Sequence, residues 1–219
     1  MLEKMGEFFD ARLEGYEEHQ LTAIESAEVF YPFTASLLPA APGARVLDLG
    51  CGTGLELNWF FERNPTAAVT GIDLAEGMLG ALRAKFPERN LTLICGSYFD
   101  EPFGEACYDA AVSVESLHHF TAAQKLPLYE KLCRALREDG FFILTDYFAE
   151  NEDREAFFQS ELRRLRAEQG IAEGEFIHYD TPLTIAHEIE TLRAAGFRRI
   201  ETLGEWGATR TLRCSREEG

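Results

Sequence analysis

The chain has 219 residues, with 21 Lys and Arg against 38 Asp and Glu, a formal charge of −17, and 46% hydrophobic residues. A chain of this size buries a sizeable core, and 12% aromatic residues argue against intrinsic disorder. The acidic balance argues against a broad nucleic-acid footprint, which needs clustered Lys and Arg. The acidic first residues lack an apolar signal core, and no apolar run is long enough to span a membrane.

The cysteines point to a reducing compartment. Five cysteines are an odd number, and none forms a CxxC pair. This usage predicts reduced thiols in a cytoplasmic protein, with no disulfide framework and no metal site. Nothing in the sequence distinguishes a monomer from a homodimer.

The first half of the chain changes from helical to alternating patterning. Phe8, Phe9, Leu13 and Tyr16 recur at helical spacing and predict helices across residues 2–37. After Pro42-Gly43, apolar segments alternate with amphipathic ones, which predicts right-handed βαβ units and a parallel sheet. The predicted strands are 45–49, 67–72, 91–95, 108–114 and 140–145, and the first two helices between them are 55–63 and 76–86.

The helix before the fifth strand carries two conflicting signals. Thr121 and Gln124 have the spacing of a capping box, whereas Pro127 fits best in a first helical turn. We therefore expect a short turn after Thr121, followed by a helix that ends near Arg137.

The remainder of the chain has a different pattern. Residues 152–169 predict a charged helix. Thr181-Pro182 predicts the cap and first residue of another helix, which Gly196 closes. Residues 197–203 and 208–214 then predict a terminal β-hairpin.

A glycine-rich segment, Asp48-Leu49-Gly50-Cys51-Gly52-Thr53-Gly54, lies between the first strand and the next helix. Open α/β sheets bind ligands at this edge. Asp73 ends the second strand 19 residues past Gly54, where a carboxylate can accept hydrogen bonds from two ribose hydroxyls. Alternatively, the glycines make a plain turn, and Asp48 and Asp73 only cap helices.

The loop favours one adenosine cofactor over others. Leu55 replaces the third glycine of a dinucleotide fingerprint, and no G-K-[ST] marks a P-loop. Asp48 would repel a pyrophosphate but attract an ammonium group. The ligand that fits is an adenosine with a cationic amino-acid tail and no phosphate, which is S-adenosylmethionine.

These motifs resemble those of the class I S-adenosylmethionine-dependent methyltransferases. Residues 46–54 match the first motif of that family, and Gly71-Ile72-Asp73-Leu74 with Met78 is similar to the second. Residues 108–112 with Leu117-His118-His119-Phe120 resemble the fourth-strand motif of members that act on small molecules. Residues 136–141 resemble the helix-to-strand turn before strand five, and residues 192–197 resemble the lead-in to the last two strands.

The resemblance implies an α/β fold, a seven-stranded Rossmann-like methyltransferase sheet of order 3-2-1-4-5-7-6 with strand 7 antiparallel. It implies one domain over residues 1–219. Within it, residues 1–40 form an N-terminal helical lid and residues 41–147 the cofactor-binding core. Residues 148–219 supply acceptor-side helices and the terminal hairpin.

The resemblance also implies a set of cofactor contacts. Asp48 and the loop glycines would surround the methionine moiety, and Asp73 would hold the ribose. Leu74 and Met78 would pack near the adenine. The backbone near Glu115 meets the cofactor's amino group, and the lid contributes Tyr16 and, secondarily, Arg12. Where many members have Gly-Asp after strand three, this chain has Gly96-Ser97, so Ser97 or Asp100 would reach the adenine amine. The implied cofactor-binding residues are Tyr16, Asp48, Gly50, Cys51, Gly52, Gly54, Asp73, Leu74, Met78, Ser97, Tyr98 and Glu115.

Candidate catalytic residues follow strands four and five. His118 and His119 are candidate general bases because imidazole titrates near pH 6.5. A base is needed only if the acceptor nucleophile carries a proton. On the alternative interpretation, one histidine is buried and hydrogen-bonded and the other is a surface group. Asp146 and Tyr147 are candidates for the acceptor pocket, His178 is a weaker one, and the apolar stripe of the 152–169 helix is a candidate cover.

The acceptor is narrowed by two absent motifs. Residues 113–116 lack the N/D-P-P-Y/F motif of enzymes that methylate nucleic-acid amines. No Pro-Cys nucleophile follows them, as an enzyme that methylates C5 of a pyrimidine would need. We therefore expect a small-molecule acceptor, with nitrogen, oxygen, sulfur and carbon all open, and neither a nucleic-acid nor a membrane partner. The alternatives are a methyltransferase acting on RNA or protein, a cofactor-binding sensor or partner subunit without catalysis, and a nicotinamide-dependent dehydrogenase.

Overall fold

The computed structural model describes residues 1–172 and 174–216. Three helices precede the sheet, strands and helices then alternate, and a hairpin ends the described chain. The helices are α1 (Met5–Asp10), α2 (Tyr16–Ala23), α3 (Ala27–Leu37), α4 (Leu57–Arg63), α5 (Glu76–Lys85), α6 (Ala122–Ala135), α7 (Glu152–Gln169) and α8 (Ile185–Ala194). The strands are β1 (Arg45–Leu49), β2 (Ala68–Asp73), β3 (Asn90–Cys95), β4 (Tyr108–Val114), β5 (Leu136–Tyr147), β6 (Arg199–Trp206) and β7 (Thr209–Ser215).

The strands form a seven-stranded sheet in the order β3-β2-β1-β4-β5-β7-β6. β1 pairs in parallel with β2 and β4, and β7 runs antiparallel to both β5 and β6. The predicted strand order and the antiparallel seventh strand are confirmed.

Helices cover both faces of the sheet, and the side chains of β1 are buried on each face in turn. Val46 belongs to the core under α3, α4 and α5, whereas Leu47 and Leu49 belong to the core under α6 and α8. Successive side chains of a strand point to opposite faces, so a strand buried on both sides is apolar throughout. The carboxyl ends of β1, β2, β4 and β5 meet at one edge, which carries the candidate site. Within the described residues, no helix is both long and apolar enough to cross a membrane.

The N-terminal segment, predicted to be helical, contains three helices in the structure. Phe8 and Phe9 lie on α1, but Tyr16 begins α2, because Gly15 adopts a left-handed conformation with φ of 76°. That conformation costs glycine little and turns the chain between the two helices. The helical spacing of the four aromatic and apolar residues therefore does not reflect one continuous helix.

Two predicted helix starts are wrong. The capping box of Thr121 and Gln124 begins α6 directly, and Pro127 lies inside that helix, so no separate turn precedes it. The cap is the stronger signal here, since it satisfies two backbone donors. The last helix begins after Thr184, whose hydroxyl accepts from the His187 N–H at 3.3 Å. Thr181 instead donates its backbone N–H to the His118 carbonyl at 2.8 Å.

Candidate functional site

A chamber at the carboxyl edge of the sheet, here called the inner chamber, has a volume of about 520 Å³ with its open mouth. Eight of the twelve residues predicted to bind the cofactor line it: Tyr16, Gly50, Gly52, Asp73, Leu74, Met78, Tyr98 and Glu115. The sequence missed Met5, Phe9, Val114 and Ser116, and it assigned the remaining lining residue, His119, to catalysis.

The glycine loop turns sharply where it meets this chamber. Gly50 has φ of 71°, and its N–H donates to the Ile72 carbonyl at 2.9 Å. A Cβ at Gly50 would overlap the Ser116 hydroxyl. The loop therefore requires glycine there for two reasons, the left-handed backbone and the close approach of the β4 end.

Asp73 links the loop to the next helix. One carboxylate oxygen accepts from the Gly52 N–H at 2.8 Å and the other from the Ala75 N–H at 2.9 Å. Burial raises its pKa, and these backbone hydrogen bonds act in the opposite direction. Each oxygen keeps a lone pair, so the carboxylate can still accept two hydroxyl hydrogen bonds from a ligand.

Four residues of the predicted set do not line the inner chamber. Cys51 is buried with its sulfur against Gly71, and Gly54 is packed against Leu82 of α5. Ser97 uses its hydroxyl to accept from the Phe99 N–H at 3.1 Å. Asp48, the fourth, lies beneath the loop, and Asp100, the alternative to Ser97, is exposed away from the chamber.

The carboxyl group of Asp48 pairs with that of Glu56, whereas the sequence predicted that it would face the methionine moiety of the cofactor. Its side chain is 1% exposed and hydrogen-bonds to Glu56, which is 3% exposed. Burial, with Glu56 as the next cause, raises the pKa of Asp48 well above its usual value. The alternation of β1 explains the difference, because Asp48 shares the face of Val46 and points under the loop. At this place Asp48 is buried beside Glu56 and does not line the inner chamber.

A second and larger chamber, the outer chamber, adjoins the first and has a volume of about 1680 Å³ with open solvent. Phe9, Tyr16, Glu115 and His119 line both chambers, and these four residues are called the shared wall. Side chains that line only the outer chamber include Arg12, His118, Tyr147, His178, Asp180 and Trp206. A ligand in the outer chamber would therefore meet a ligand in the inner chamber at the shared wall.

Some predicted acceptor-side residues lie elsewhere. Tyr147 and His178 line the outer chamber, but Asp146 is buried behind His118 and does not. Phe157 of α7 is 48% exposed, and none of the apolar residues of α7 lines either chamber. Helix α7 therefore lines neither chamber, and the prediction that its apolar stripe covers the acceptor pocket is wrong.

His118 is held by Asp146. The imidazole Nδ1 lies 2.5 Å from Asp146 Oδ1, and Asp146 Oδ2 accepts from the Leu117 and His118 N–H groups at 2.8 and 3.0 Å. Burial disfavours the imidazolium, but Asp146 outweighs burial and raises the pKa of His118 to about 9. His118 is therefore a fixed cation at neutral pH.

His119 has the opposite electrostatic character. Its Nδ1 lies 3.0 Å from Asp180 Oδ1, and Tyr147 donates its hydroxyl to the same carboxylate. Burial and the neighbouring His118 cation lower the pKa of His119 to about 4. His119 is neutral at pH 7, so the two adjacent histidines differ in charge.

Two groups of side chains bring ligand-type atoms within 4.8 Å of one another: His118, His119 and Asp180, and Glu115, His118 and Asp146. Imidazole and carboxylate groups of this kind are able to hold a metal ion. The bonds of His118 to Asp146 and of His119 to Asp180 account for the contacts between histidines and acids, while Glu115 accepts from Thr209 instead. We therefore assign the two histidine–acid pairs to a hydrogen-bonded network at the wall of the outer chamber.

The N-terminal helices close over both chambers through bonds on two sides. On one side, the Met5 N–H donates to the Phe176 carbonyl at 2.9 Å, and the His178 N–H donates to the Glu3 carbonyl at 3.0 Å. On the other side, Asp10 Oδ1 accepts from the Gly77 N–H at 2.8 Å. Arg12, predicted as a lid contact, pairs with Glu3 and lies over the Phe8 ring.

The His118–Asp146 pair predicts a pH-dependent stability. The folded pKa of His118, about 9, exceeds its usual value of 6.5, so the pair stabilises fully below pH 6.5 and is lost as pH rises through 9. The free energy of unfolding should fall over this window, by up to about 3 kcal/mol from His118. Glu115 adds to the fall below pH 8, since its folded pKa is also raised.

Denaturant melts of wild type and His118→Gln between pH 6 and 9.5 measure this effect. The variant should show a shallower fall, and His19→Gln, at an exposed histidine, is the control that should keep the wild-type slope. An unchanged slope in His118→Gln would contradict the pairing.

The comparisons with known proteins agree with this geometry. A family model described as a methyltransferase domain matches residues 46–140. An uncharacterized methyltransferase of Synechocystis sp. is 34% identical over 119 residues, covering 54% of each protein. The malonyl-[acyl-carrier protein] O-methyltransferase of Herminiimonas arsenicoxydans is 29% identical over 174 residues, covering 78% of this chain and 59% of that protein. The chain thus spans little more than half the length of these curated relatives.

A solved structure supports the fold alone. Human N-acetylserotonin methyltransferase, in complex with S-adenosylmethionine, aligns with a TM-score of 0.65 and 16% identity, covering 96% of this chain and 56% of that one. The sheet order and the glycine loop define a class I methyltransferase fold. Together with the family model over residues 46–140, they make this segment similar to a methyltransferase domain of the class I fold, and the cofactor that such a domain uses is S-adenosylmethionine.

The residues of the inner chamber fit that cofactor. Asp73 presents a carboxylate with free acceptor capacity, and the apolar Leu74 and Met78 lie beside it. The Gly50 backbone forms a wall without side chains. The individual contacts of these residues with the cofactor remain predictions.

Proposed function

We propose that this chain transfers a methyl group from S-adenosylmethionine to a small-molecule acceptor that binds in the outer chamber. The observation that carries the proposal is the shared wall, through which the chamber of the predicted cofactor residues meets a larger chamber. When bound, S-adenosylmethionine supplies an activated methyl group on a sulfonium, which a nucleophile takes by in-line displacement while the carbon–sulfur electron pair stays on sulfur.

The protein's contribution to such a reaction is chiefly positioning. Holding two reactants in line is worth about 7–11 kcal/mol of barrier in favourable cases. In our proposal, Asp73 and the glycine loop orient the cofactor, Tyr16 closes the lid over it, and the aromatic rings of the outer chamber exclude water around the acceptor. The cofactor-binding core of residues 41–147 is thereby placed between the lid and the acceptor-side segments.

The two predicted bases have different roles in this proposal. His118 is a cation bound to Asp146, so it orders the wall and accepts no proton. His119 is neutral and belongs to the shared wall, which makes it the histidine that would contact the reacting groups. Residues 113–116 lack the motif of nucleic-acid amine methyltransferases, and no Pro-Cys nucleophile follows them. Both observations agree with an acceptor that is recognised inside a pocket.

A methyl-transfer screen tests the function. Purified protein is incubated with cofactor carrying an isotopically labelled methyl group and with metabolite pools, and the products are read by mass. We expect label in a small molecule. Robust label in RNA or protein, with none in any metabolite, would overturn the proposal in favour of a macromolecular acceptor. Tight binding of S-adenosylhomocysteine without any transfer would favour a sensor or partner subunit.

A further inference from the structure

Glu115 is the only member of the shared wall with a carboxylate. Phe9 and Tyr16 contribute aromatic rings to this wall, and His119 contributes a neutral imidazole. Glu115 itself follows the last residue of β4 and has φ of 49°. A left-handed non-glycine residue costs about 1–2 kcal/mol, and such strained residues cluster at functional sites. The backbone is thus strained at the point that places this carboxylate between the two chambers.

The carboxylate of Glu115 has unused hydrogen-bonding capacity. Within the described residues, its one side-chain hydrogen bond is from Thr209 Oγ1, at a long 3.4 Å. Asp180, the other acid beside the histidines, already accepts from His119 at 3.0 Å and from Tyr147, and lies 3.6 Å from His118 Nε2. A ligand group that donates hydrogen bonds would therefore find its acceptor at Glu115.

The outer chamber combines aromatic rings with an acidic lining. Its acids outnumber its cations, and the guanidinium of Arg12 is already paired with Glu3 at 3.1 Å. Aromatic faces and carboxylates together favour a cationic head on an apolar body. The rings are Phe8, Phe9, Tyr16, Tyr147 and Trp206, and the acids are Glu14, Glu25, Glu115 and Asp180.

Resting on the proposed methyl transfer, we propose that the acceptor is a small amine with an apolar body, and that Glu115 binds its ammonium group and takes its proton. In this step an N–H bond of the ammonium breaks, the proton bonds to a Glu115 oxygen, and the electron pair stays on nitrogen as the lone pair. The nitrogen is then a neutral nucleophile at the shared wall. Glu115 is thus a catalytic residue as well as a specificity determinant.

The titration of Glu115 supports this role. Burial, with Asp146 as the next cause, raises its pKa to about 8, and His118 offsets part of the shift. The other titratable groups that face it are Asp180, Tyr16, Tyr31 and Tyr147. A carboxylate with a raised pKa is a stronger base, better matched to an amine. At pH 7 the empty carboxyl is mostly protonated, so binding an ammonium group should release a proton.

Calorimetry with three matched probes tests the inference without relying on turnover. The probes are 2-phenylethylamine, 2-phenylethanol and phenylacetate, titrated at pH 7 into protein saturated with S-adenosylhomocysteine, in two buffers of different ionisation enthalpy. We expect the amine to bind most tightly and to release most of one proton per molecule bound, and the alcohol to release none.

Two variants locate the effect. Glu115→Gln should weaken amine binding about 10- to 100-fold, abolish the proton release and leave alcohol binding within about twofold, because only the charged hydrogen bond is lost. Glu25→Gln removes a different carboxylate of the same chamber and should weaken amine binding by at most about twofold, because in our proposal Glu25 adds to the acidic field of the chamber without contacting the ammonium group. Retained binding of S-adenosylhomocysteine in both variants shows that they are folded.

The outcomes separate this inference from the function on which it rests. Wild-type protein that binds S-adenosylhomocysteine, but binds the alcohol as tightly as the amine or fails to bind the amine, overturns the inference alone. Equal losses in Glu115→Gln and Glu25→Gln overturn the role of Glu115. Wild-type protein that neither binds S-adenosylhomocysteine nor transfers a methyl group overturns the proposed function itself.

Discussion

Replacing Asp73 with alanine is expected to lower the affinity for S-adenosylhomocysteine about 100-fold or more. The carboxylate accepts from the Gly52 and Ala75 N–H groups at 2.8 and 2.9 Å, so its loss frees the glycine loop from the start of α5. It also removes the acceptor proposed for the ribose hydroxyls. Each hydrogen bond to a charged group contributes about 1.5–3 kcal/mol, and two of them account for this loss.

Isothermal titration of wild type, Asp73→Ala and Asp100→Ala measures the effect. Asp100 is the matched control, since it is an exposed acid near the same edge and outside both chambers. Asp100→Ala should bind like wild type. Weak binding by Asp100→Ala would restore its role at the adenine amine, and near-native binding by Asp73→Ala would remove Asp73 from the cofactor site.

Replacing Lys125 with methionine is expected to destabilise the fold by about 3–5 kcal/mol. Lys125 Nζ lies 2.5 Å from Glu188 Oε2, and the two residues are 2% and 0% exposed. Tyr129 donates its hydroxyl to the other oxygen of Glu188. The variant leaves the buried Glu188 carboxylate with Tyr129 but without its cationic partner. An uncompensated buried charge strongly lowers the free energy of unfolding. The melting temperature should fall by roughly 10 °C.

The double variant Lys125→Met with Glu188→Leu identifies the cause. Removing both charges should restore most of the lost stability, because a buried ion pair contributes little more than apolar residues of similar volume. Lys4→Met, at an exposed lysine, controls for the substitution itself. Thermal unfolding followed by circular dichroism measures all four proteins. A double variant as unstable as Lys125→Met would show that packing, and not charge, dominates.

The order of the strands could be predicted because the apolar strands alternate with helices and the glycine loop has a recognisable spacing. The loop, Asp73 and the β4 end are close in space simply because parallel strands end at one edge. The starts of helices that follow turns were harder to predict. Pro127 suggested a break that the capping box of Thr121 overrides, and Thr181 suggested a cap that the structure places at Thr184.

The parts of the site that escaped prediction depend on side-chain contacts that the sequence pattern does not reveal. Asp48 pairs with Glu56 under the loop, and Asp180 reaches His119 from a segment 61 residues later in the chain. Pattern reasoning identified His118 and His119 but not their opposite charges, since these are set by Asp146 and by burial. Glu115 was assigned through its backbone alone, and only the shared wall reveals its side chain as a reactive group.

The closure of α1 and α2 has a consequence for the timing of ligand exchange. Phe9 and Tyr16, which these helices carry, belong to both chambers, and the bonds from Met5 and Asp10 hold the two ends of α1. A motion that breaks these bonds opens the inner chamber and widens the outer one in the same event. In the proposed methyl transfer, departure of the demethylated cofactor and departure of the product would therefore both wait on the same opening.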